Sequence, residues 1–304
     1  MKSIYRKIVN ACLAIVSLAS YHHEGMAQVN PLGSIYYQNQ YLANPAMSGL
    51  GDEWVINLGY RKQWASFPGA PSTQYISGDY RFADKAAGGL IIFNEKAGLL
   101  QSTRIMGTYS YHLPIGEDQT LDVGLSAGML SEKIDTEALS GDIGDPGVAR
   151  FNNQGIKLNG DFGVAYRDKK ITLQGVLPNI MTFFDEEQKE IVDRSLFFVA
   201  ASYKFQLTEA DGVSFEPKVC FRGVKGADHI IDAGARVGFL KDKFSLFGMY
   251  HSSKNITIGA GLTVKDMLII TGLYSSPSSS MGNKVNGNLE AGIQVLLWRK
   301  PATN

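Results

Sequence analysis

The sequence predicts an all-β chain, a transmembrane antiparallel β-barrel of about fourteen strands that follows a leader and a short non-strand segment. Three observations predict it. Apolar residues recur at every second position over segments of about 9 to 13 residues, longer than most soluble strands and long enough to cross a bilayer when tilted. No run after the leader approaches the ~18 apolar residues that mark a membrane helix. The connections between segments fall into a short class and a long class that alternate along the chain, the asymmetry expected of outer-membrane barrels.

Bulk composition agrees. Lys plus Arg and Asp plus Glu are each 29 in 304 residues, so the formal net charge is zero. Without a broad basic field, nucleic acid is not an expected partner. A mean hydropathy of −0.07 is far too low for a bundle of membrane helices, but it suits a barrel, in which only alternate residues face lipid. Of the two cysteines, Cys12 lies in the leader, so the mature chain keeps Cys220 and has no intrachain disulfide.

Taken in order, residues 1–27 read as a cleavable signal peptide. Lys2, Arg6 and Lys7 precede an apolar run from Ile8 to Ala19, and Gly25-Met26-Ala27 supplies small residues for cleavage after Ala27. A lipoprotein signal ending at Cys12 fits less well, because most of the apolar run follows that cysteine. An uncleaved anchor is disfavoured by the short run and by the polar Tyr21-His22-His23-Glu24. Residues 28–52 form a periplasmic or plug segment, residues 53–298 the barrel, and residues 299–304 a periplasmic tail.

Within the barrel, Leu121, Val123, Leu125, Ala127 and Met129 alternate with Asp122, Gly124, Ser126 and Gly128. Ile256, Ile258, Ala260, Leu262 and Val264 alternate with Thr257, Gly259, Gly261 and Thr263. Similar patterns cover Ile156–Arg167 and Asp232–Phe239. In a strand this spacing separates two faces. Fourteen strands are expected to start near Glu53, Ser72, Ala86, Gln101, Gln119, Gly155, Lys170, Arg194, Val213, Asp228, Lys243, Asn255, Asp266 and Asn286. The longest connections, Ser131–Gln154, Pro178–Asp193 and Ser275–Val285, share one parity and are expected outside the cell. Several short connections carry an Asp/Lys pair, as at Asp84-Lys85, Asp168-Lys169, Asp242-Lys243 and Lys265-Asp266, which suits solvated turns. With the apolar set toward lipid, Asp79, Arg81, Arg104, Asp122, Lys157, Asp161, Arg167, Glu216, Lys218, Arg222, Asp232, Arg236 and Glu290 face the lumen. Charges of both signs predict paired networks there, not a single-sign filter.

Ahead of the first strand lies the aromatic and amide-rich stretch from Ser34 to Gly49, with Tyr36, Tyr37, Gln38, Tyr41, Asn44 and Pro45. Tyr60-Arg61-Lys62-Gln63-Trp64, Pro68-Gly69-Ala70-Pro71 and Ser77-Gly78-Asp79-Tyr80 follow, and a weaker echo sits at Gly175–Asn179. This succession resembles the PorP/SprF family of type IX secretion outer-membrane proteins, closely over Pro31 to Tyr80. The resemblance implies a non-enzymatic outer-membrane component that supports export or surface anchoring of cargo bearing a C-terminal sorting domain, in some members as part of gliding machinery. Its implied partners are outer-membrane lipid, other secretion components and the cargo domain. The candidate plug or partner residues are Tyr36, Tyr37, Gln38, Tyr41, Asn44, Pro45, Arg61, Gln63 and Trp64. The tyrosines and amides would suit a docking surface or a plug, while Trp64 and Phe67 suit interfacial anchors.

No catalytic, cofactor or metal constellation is apparent. His112, His229 and His251 lie on separate segments without zinc spacing, and no nucleophile elbow or phosphate loop occurs. Acidic residues at Asp185-Glu186-Glu187 and from Asp135 to Asp145 read as solvated loops more readily than as ion sites. The alternatives to a secretion component are a porin or hydrophobic-compound transporter, and an outer-membrane phospholipase or protease that would lack a visible nucleophile–base pair.

Overall fold

The computed structural model describes residues 33–64, 69–136, 145–183, 195–208, 212–224, 229–277 and 285–298. The leader, Phe67 and the acidic run at 185–187 lie outside the described residues.

The strands are β1 (Trp54–Lys62), β2 (Ser72–Ala83), β3 (Ala86–Ala97), β4 (Leu100–Pro114), β5 (Thr120–Ile134), β6 (Ile156–Arg167), β7 (Ile171–Leu177), β8 (Ser195–Tyr203), β9 (Phe205–Thr208), β10 (Val213–Val224), β11 (Ile230–Phe239), β12 (Phe244–His251), β13 (Asn255–Val264), β14 (Leu268–Ser275) and β15 (Asn288–Leu297). β8 and β9 are two parts of one stave, since both pair with β10. The break falls at Tyr203–Lys204, opposite Pro217 and Glu216. Proline has no N–H to give the ladder on that side, while on the β7 side the Lys204 amide donates to Lys170 O at 2.7 Å. The result is a fourteen-stave antiparallel barrel, closed by β1 against β15 in the register Arg61↔Glu290.

Alternation sorts the two faces as expected. Leu58, Ile76, Leu90, Ile105, Leu125, Met129, Leu158, Ile258 and Ile293 are exposed on the outside. Asp79, Asp122, Lys218, Arg222, Asp232 and Glu290 are buried inside. An exposed apolar girdle is stable only against hydrocarbon, which is the environment a closed barrel implies. At the end that carries both strand termini, Trp54 stacks on Tyr80 (4.5 Å between centroids) and Phe82 leans on Tyr109, as interfacial rings do.

The two ends differ. At the terminus end the turns are tight: Asp168 Oδ1 accepts from the Lys170 and Ile171 amides at 2.6 and 2.7 Å. Those donors, Ile171 first, hold its carboxyl below the usual carboxylate range. The opposite end carries the longer connections, including a short helix α1 (Pro146–Asn152) capped by Asp145.

Candidate functional site

The segment from Ser34 to Leu50 runs inside the barrel as three short 3-10 turns, Ile35–Tyr37, Gln40–Leu42 and Pro45–Met47. Its sequence explains the shape. Turns of three residues need no period, and each breaks the β alternation that would carry the chain into the wall. Asn44 is extended and caps the third turn, its Oδ1 accepting from the Ala46 amide at 3.0 Å, with Pro45 in the first turn position. The same Asn-Pro pair thus ends one turn and starts the next.

The segment is bonded around the wall. At its start, the Ser34 and Ile35 amides donate to the Glu290 carboxylate at 3.0–3.1 Å, and Arg61 Nε lies 3.6 Å from Glu290. Gln63 is buried beside Arg61, its carboxamide oxygen satisfied when turned to that guanidinium. The Tyr36 hydroxyl donates to Asp232 at 2.8 Å, and its ring meets Phe198 edge-on. Tyr37 donates to Glu216 O, stacks on Phe247 and receives Lys218 Nζ over its face at 4.8 Å. Tyr41 donates to Thr108 at 2.8 Å. The Asn44 side chain, 0% exposed, donates to Gln174 and to Val164 O. At its end, the Gly49 amide donates to Asp79, and Arg81 donates to Gly49 O and Leu50 O.

Close approach at the middle depends on two wall glycines. Gly124 and Gly163 face each other across β5 and β6. A Cβ on Gly124 would meet the Pro45–Ala46 backbone, with Pro45 O at 2.6 Å, and one on Gly163 would meet Asn44 Oδ1 and Pro45 Cδ. The glycines form a flat seat for Asn44-Pro45-Ala46.

Beside the charged residues expected in the lumen, the inner wall carries a large apolar part. Ile91, Phe93, Met106, Val176, Phe198, Phe247, Met249 and Leu273 point inward and pack with Ile35, Tyr36, Tyr37, Tyr41 and Leu42 into one buried apolar cluster. The tyrosine rings are therefore committed to the wall and present no free docking face. Cys220 is a buried free thiol in the same cluster. Trp64 sits half-buried just beyond β1, with φ 44°, and takes no part in the lumen bonding described for Arg61 and Gln63.

Two arrangements were not read from the sequence. His112 faces Asp122 in register across β4 and β5, with Nδ1 at 2.7 Å from Oδ1, and Arg167 also holds that carboxylate. His112 Nε2 lies 3.4 Å from Ser110, which in turn bonds Ser48 of the segment at 2.7 Å. On the other side, His251 faces Asp232 across β11 and β12 at 2.6 Å, with Arg222 on the same carboxylate at 2.7 Å. His251 Nε2 reaches Thr257 at 2.7 Å, and Thr257 reaches Ser34 at 3.0 Å. Each end of the segment is thus held through an Arg–Asp–His–hydroxyl chain. The signal was available in hairpin spacing: each His and Asp lie equidistant from their turn, so a hairpin register makes them partners.

Between the segment and the wall at the terminus end lies a cavity of about 470 Å³, bordered by Gln38, Gln40, Asn57, Arg236, Asp242 and Gln294 among others. Burial alone would push the Asp242 carboxyl up, but Arg236 at 2.8 Å and Lys204 at 3.3 Å outweigh it and hold it below the usual range. Among the described residues no cluster of three or more His, Cys, Asp or Glu is arranged to hold a metal ion.

No curated protein matches the chain. Among solved structures it is similar to the outer membrane protein Omp33 of Acinetobacter baumannii, at 8% identity over 81% of this chain and 100% of that one, with a TM-score of 0.48. It is also similar to a mutant porin of Rh. blastica, at 9% identity over 81% of this chain and 99% of that one, with a TM-score of 0.37. The match that carries information is to a family model, type IX secretion system membrane protein PorP/SprF, over residues 25–294. That span takes in the lumen segment, the Arg61–Trp64 strand end and nearly every stave, so the chain belongs to the PorP/SprF family and is an outer-membrane component of the type IX secretion system.

Proposed function

We propose that this chain is a non-enzymatic, plugged barrel that supports export or surface anchoring of cargo with a C-terminal sorting domain, and that it conducts no solute of its own. The observation that carries the reading is the filled lumen: Ser34–Leu50 is bonded to staves on all sides and packed into an apolar cluster with the wall. A path for an unfolded polypeptide through such an interior would require expelling the segment. The barrel therefore acts as a fixed membrane platform, and cargo is handled at its surfaces or by other secretion components.

In this reading residues 1–27 are removed on export, residues 28–52 form the plug, residues 53–298 the barrel and residues 299–304 a periplasmic tail. The terminus end faces the periplasm, and the end with the long connections faces outward. Tyr36, Tyr37, Gln38, Tyr41, Asn44 and Pro45 serve the plug, and Arg61 and Gln63 brace its first anchor. The amide-lined cavity at the terminus end is the surface offered to periplasmic secretion components.

The test pairs two measurements on the full chain. Wild-type protein in planar bilayers is expected to show no steady conductance, and deleting the gene is expected to abolish surface immunolabelling of the cargo. Deleting Gln28–Gly49, with the leader kept, is expected to give a barrel that conducts and that no longer displays cargo. Porin-like conductance by the intact chain, with cargo display unaffected by its loss, would overturn the reading in favour of a porin.

A further inference from the structure

We propose that the outward face of β1–β5, at the end with the long connections, binds a phosphorylated, multiply acylated glycolipid of the outer leaflet. This rests on the orientation given above. The pairing registers place Lys62, Ser72, Lys96, Gln101 and Lys133 in one continuous row across five staves. Alternation puts all five outside, on the same face as Leu58, Ile76, Leu90, Ile105 and Leu125. The next outward row toward the membrane centre reads Tyr60, Gln74, Asn94, Thr103 and Ser131. The outside of this sector therefore passes from ammonium groups to amides and hydroxyls before it becomes apolar.

Among the described residues, other staves do not repeat the lysine row. On six of them the outward strand residues toward the same end, Ile156, Leu177, Ile231, Ile256, Tyr274 and Leu289, are exposed and apolar or aromatic, with His229 just beyond Ile231. A cation facing lipid is tolerated only near the headgroups, so the lysine row fixes the headgroup level in this sector and concentrates positive charge there. Lys96 already meets Asp135 at 2.9 Å, and Gln101 meets the same carboxylate. Three lysines against that carboxylate leave the row net positive. Lysines two staves apart are roughly 10 Å from one another, a spacing that favours a headgroup with more than one phosphate over a single anion.

A second feature lies beside the row. A groove of about 570 Å³ opens on the outer face of the β15–β1–β2–β3 wall, lined by Leu58, Tyr60, Ile76, Ile92, Ala291 and Ile293 among others, with Gln74 and Asn94 at its border. It is mostly apolar, the lining for an acyl chain, while the amides and lysines receive the polar head. Cation row and groove together distinguish such a lipid from free phosphate, which has no use for the groove.

The experiment uses the purified full chain in detergent and native mass spectrometry, with diphosphorylated lipid A as the probe. Wild-type protein is expected to retain the lipid. Combined Lys62→Gln, Lys96→Gln and Lys133→Gln is expected to lower retention at least tenfold, whereas Lys169→Gln with Lys243→Gln and Lys265→Gln, at the other end, leaves it unchanged. Ile293→Trp, which fills the groove without touching charge, is expected to lower retention on its own. Millimolar inorganic phosphate is expected not to compete. Equal retention by the triple lysine variant in a barrel of normal heat-modifiable mobility, or displacement by inorganic phosphate alone, overturns the proposal. A Lys133→Cys variant separates it from the orientation on which it rests. Labelling by an impermeant maleimide on intact cells supports the outer-leaflet source, and labelling only after permeabilisation overturns that source even where lipid A binds in detergent.

Discussion

Adding one methyl group to the seat under Asn44-Pro45-Ala46 is expected to unseat the lumen segment. In Gly124→Ala the new Cβ would lie 2.6 Å from Pro45 O and closer still to the Pro45 carbonyl carbon and the Ala46 nitrogen. Ordinary contact needs about 3.5 Å, and the obstacle is backbone, which cannot rotate away. The segment must lift by about 1 Å. Three bonds lie in the lifted stretch: Asn44 to Gln174 at 3.2 Å, Asn44 to Val164 O at 3.3 Å, and Ser48 to Ser110 at 2.7 Å. At roughly 1 kcal/mol net for each, the seated state loses ~3 kcal/mol, about a hundredfold in its ratio to the unseated state. Amide hydrogen exchange reads that ratio directly. Protection over residues 36–48 is expected to fall about a hundredfold, with wall protection kept. Gly272→Ala, where a Cβ meets nothing within 4 Å, is the control. Unchanged protection in Gly124→Ala would refute the claim that the seat is tight.

Other expectations follow from the same geometry. Leu125 is 50% exposed on the outer face, and Leu125→Arg is expected to cost about 2–4 kcal/mol near the midplane, measured by urea unfolding in lipid. Ser126 faces inward yet bonds Thr108 at 2.7 Å beneath Tyr41, so Ser126→Arg is expected to displace the segment instead of being absorbed by a watery lumen; exchange protection over residues 36–48 indistinguishable from wild type would contradict this. Asp232→Ala takes the shared carboxylate from Arg222, His251 and Tyr36 and is expected to lower stability by roughly 3–5 kcal/mol; a change below about 1 kcal/mol would show that the cluster relaxes. An epitope inserted at Gly144 is expected to be labelled on intact cells, and labelling confined to permeabilised cells would reverse the barrel's orientation.

The staves were legible because lipid enforces alternation more strictly than water does. Strand starts expected near Ser72, Ala86, Val213 and Asn255 coincide with β2, β3, β10 and β13, and the others fall within about two residues. Legibility weakened where the inner face is also apolar. Ile91 and Phe93 on β3, Phe198 on β8, and Phe247 and Met249 on β12 pack against the segment, so those staves read as apolar on both faces and hide their parity. The clean alternations came from other staves, β5, β6, β11 and β13, whose inner positions are mostly Gly, Ser, Thr, Asn and charged residues. The candidate residues before β1 were marked by composition, but their partners were not. Tyr36 finds Asp232 across 196 positions and Ser34 finds Glu290 across 256, distances over which one sequence holds no pairing signal.

Those long separations bear on how the barrel is made. Ser34 and Ile35 are satisfied by Glu290 of the last stave, the residue that faces Arg61 of the first. Their anchor does not exist until β15 has arrived beside β1, whereas Asn39 and Tyr41 meet Ser77 and Thr108 on staves synthesised early. The segment can begin to order on the first few hairpins and can finish only at closure. Non-local contacts of this kind are formed late, after the entropy of closing the intervening chain has been met. An unfinished or mispaired barrel leaves the Ser34 end unsatisfied, so completion of the wall is registered inside it, and a chain missing its final hairpin would expose the tyrosine-rich segment to whatever monitors assembly.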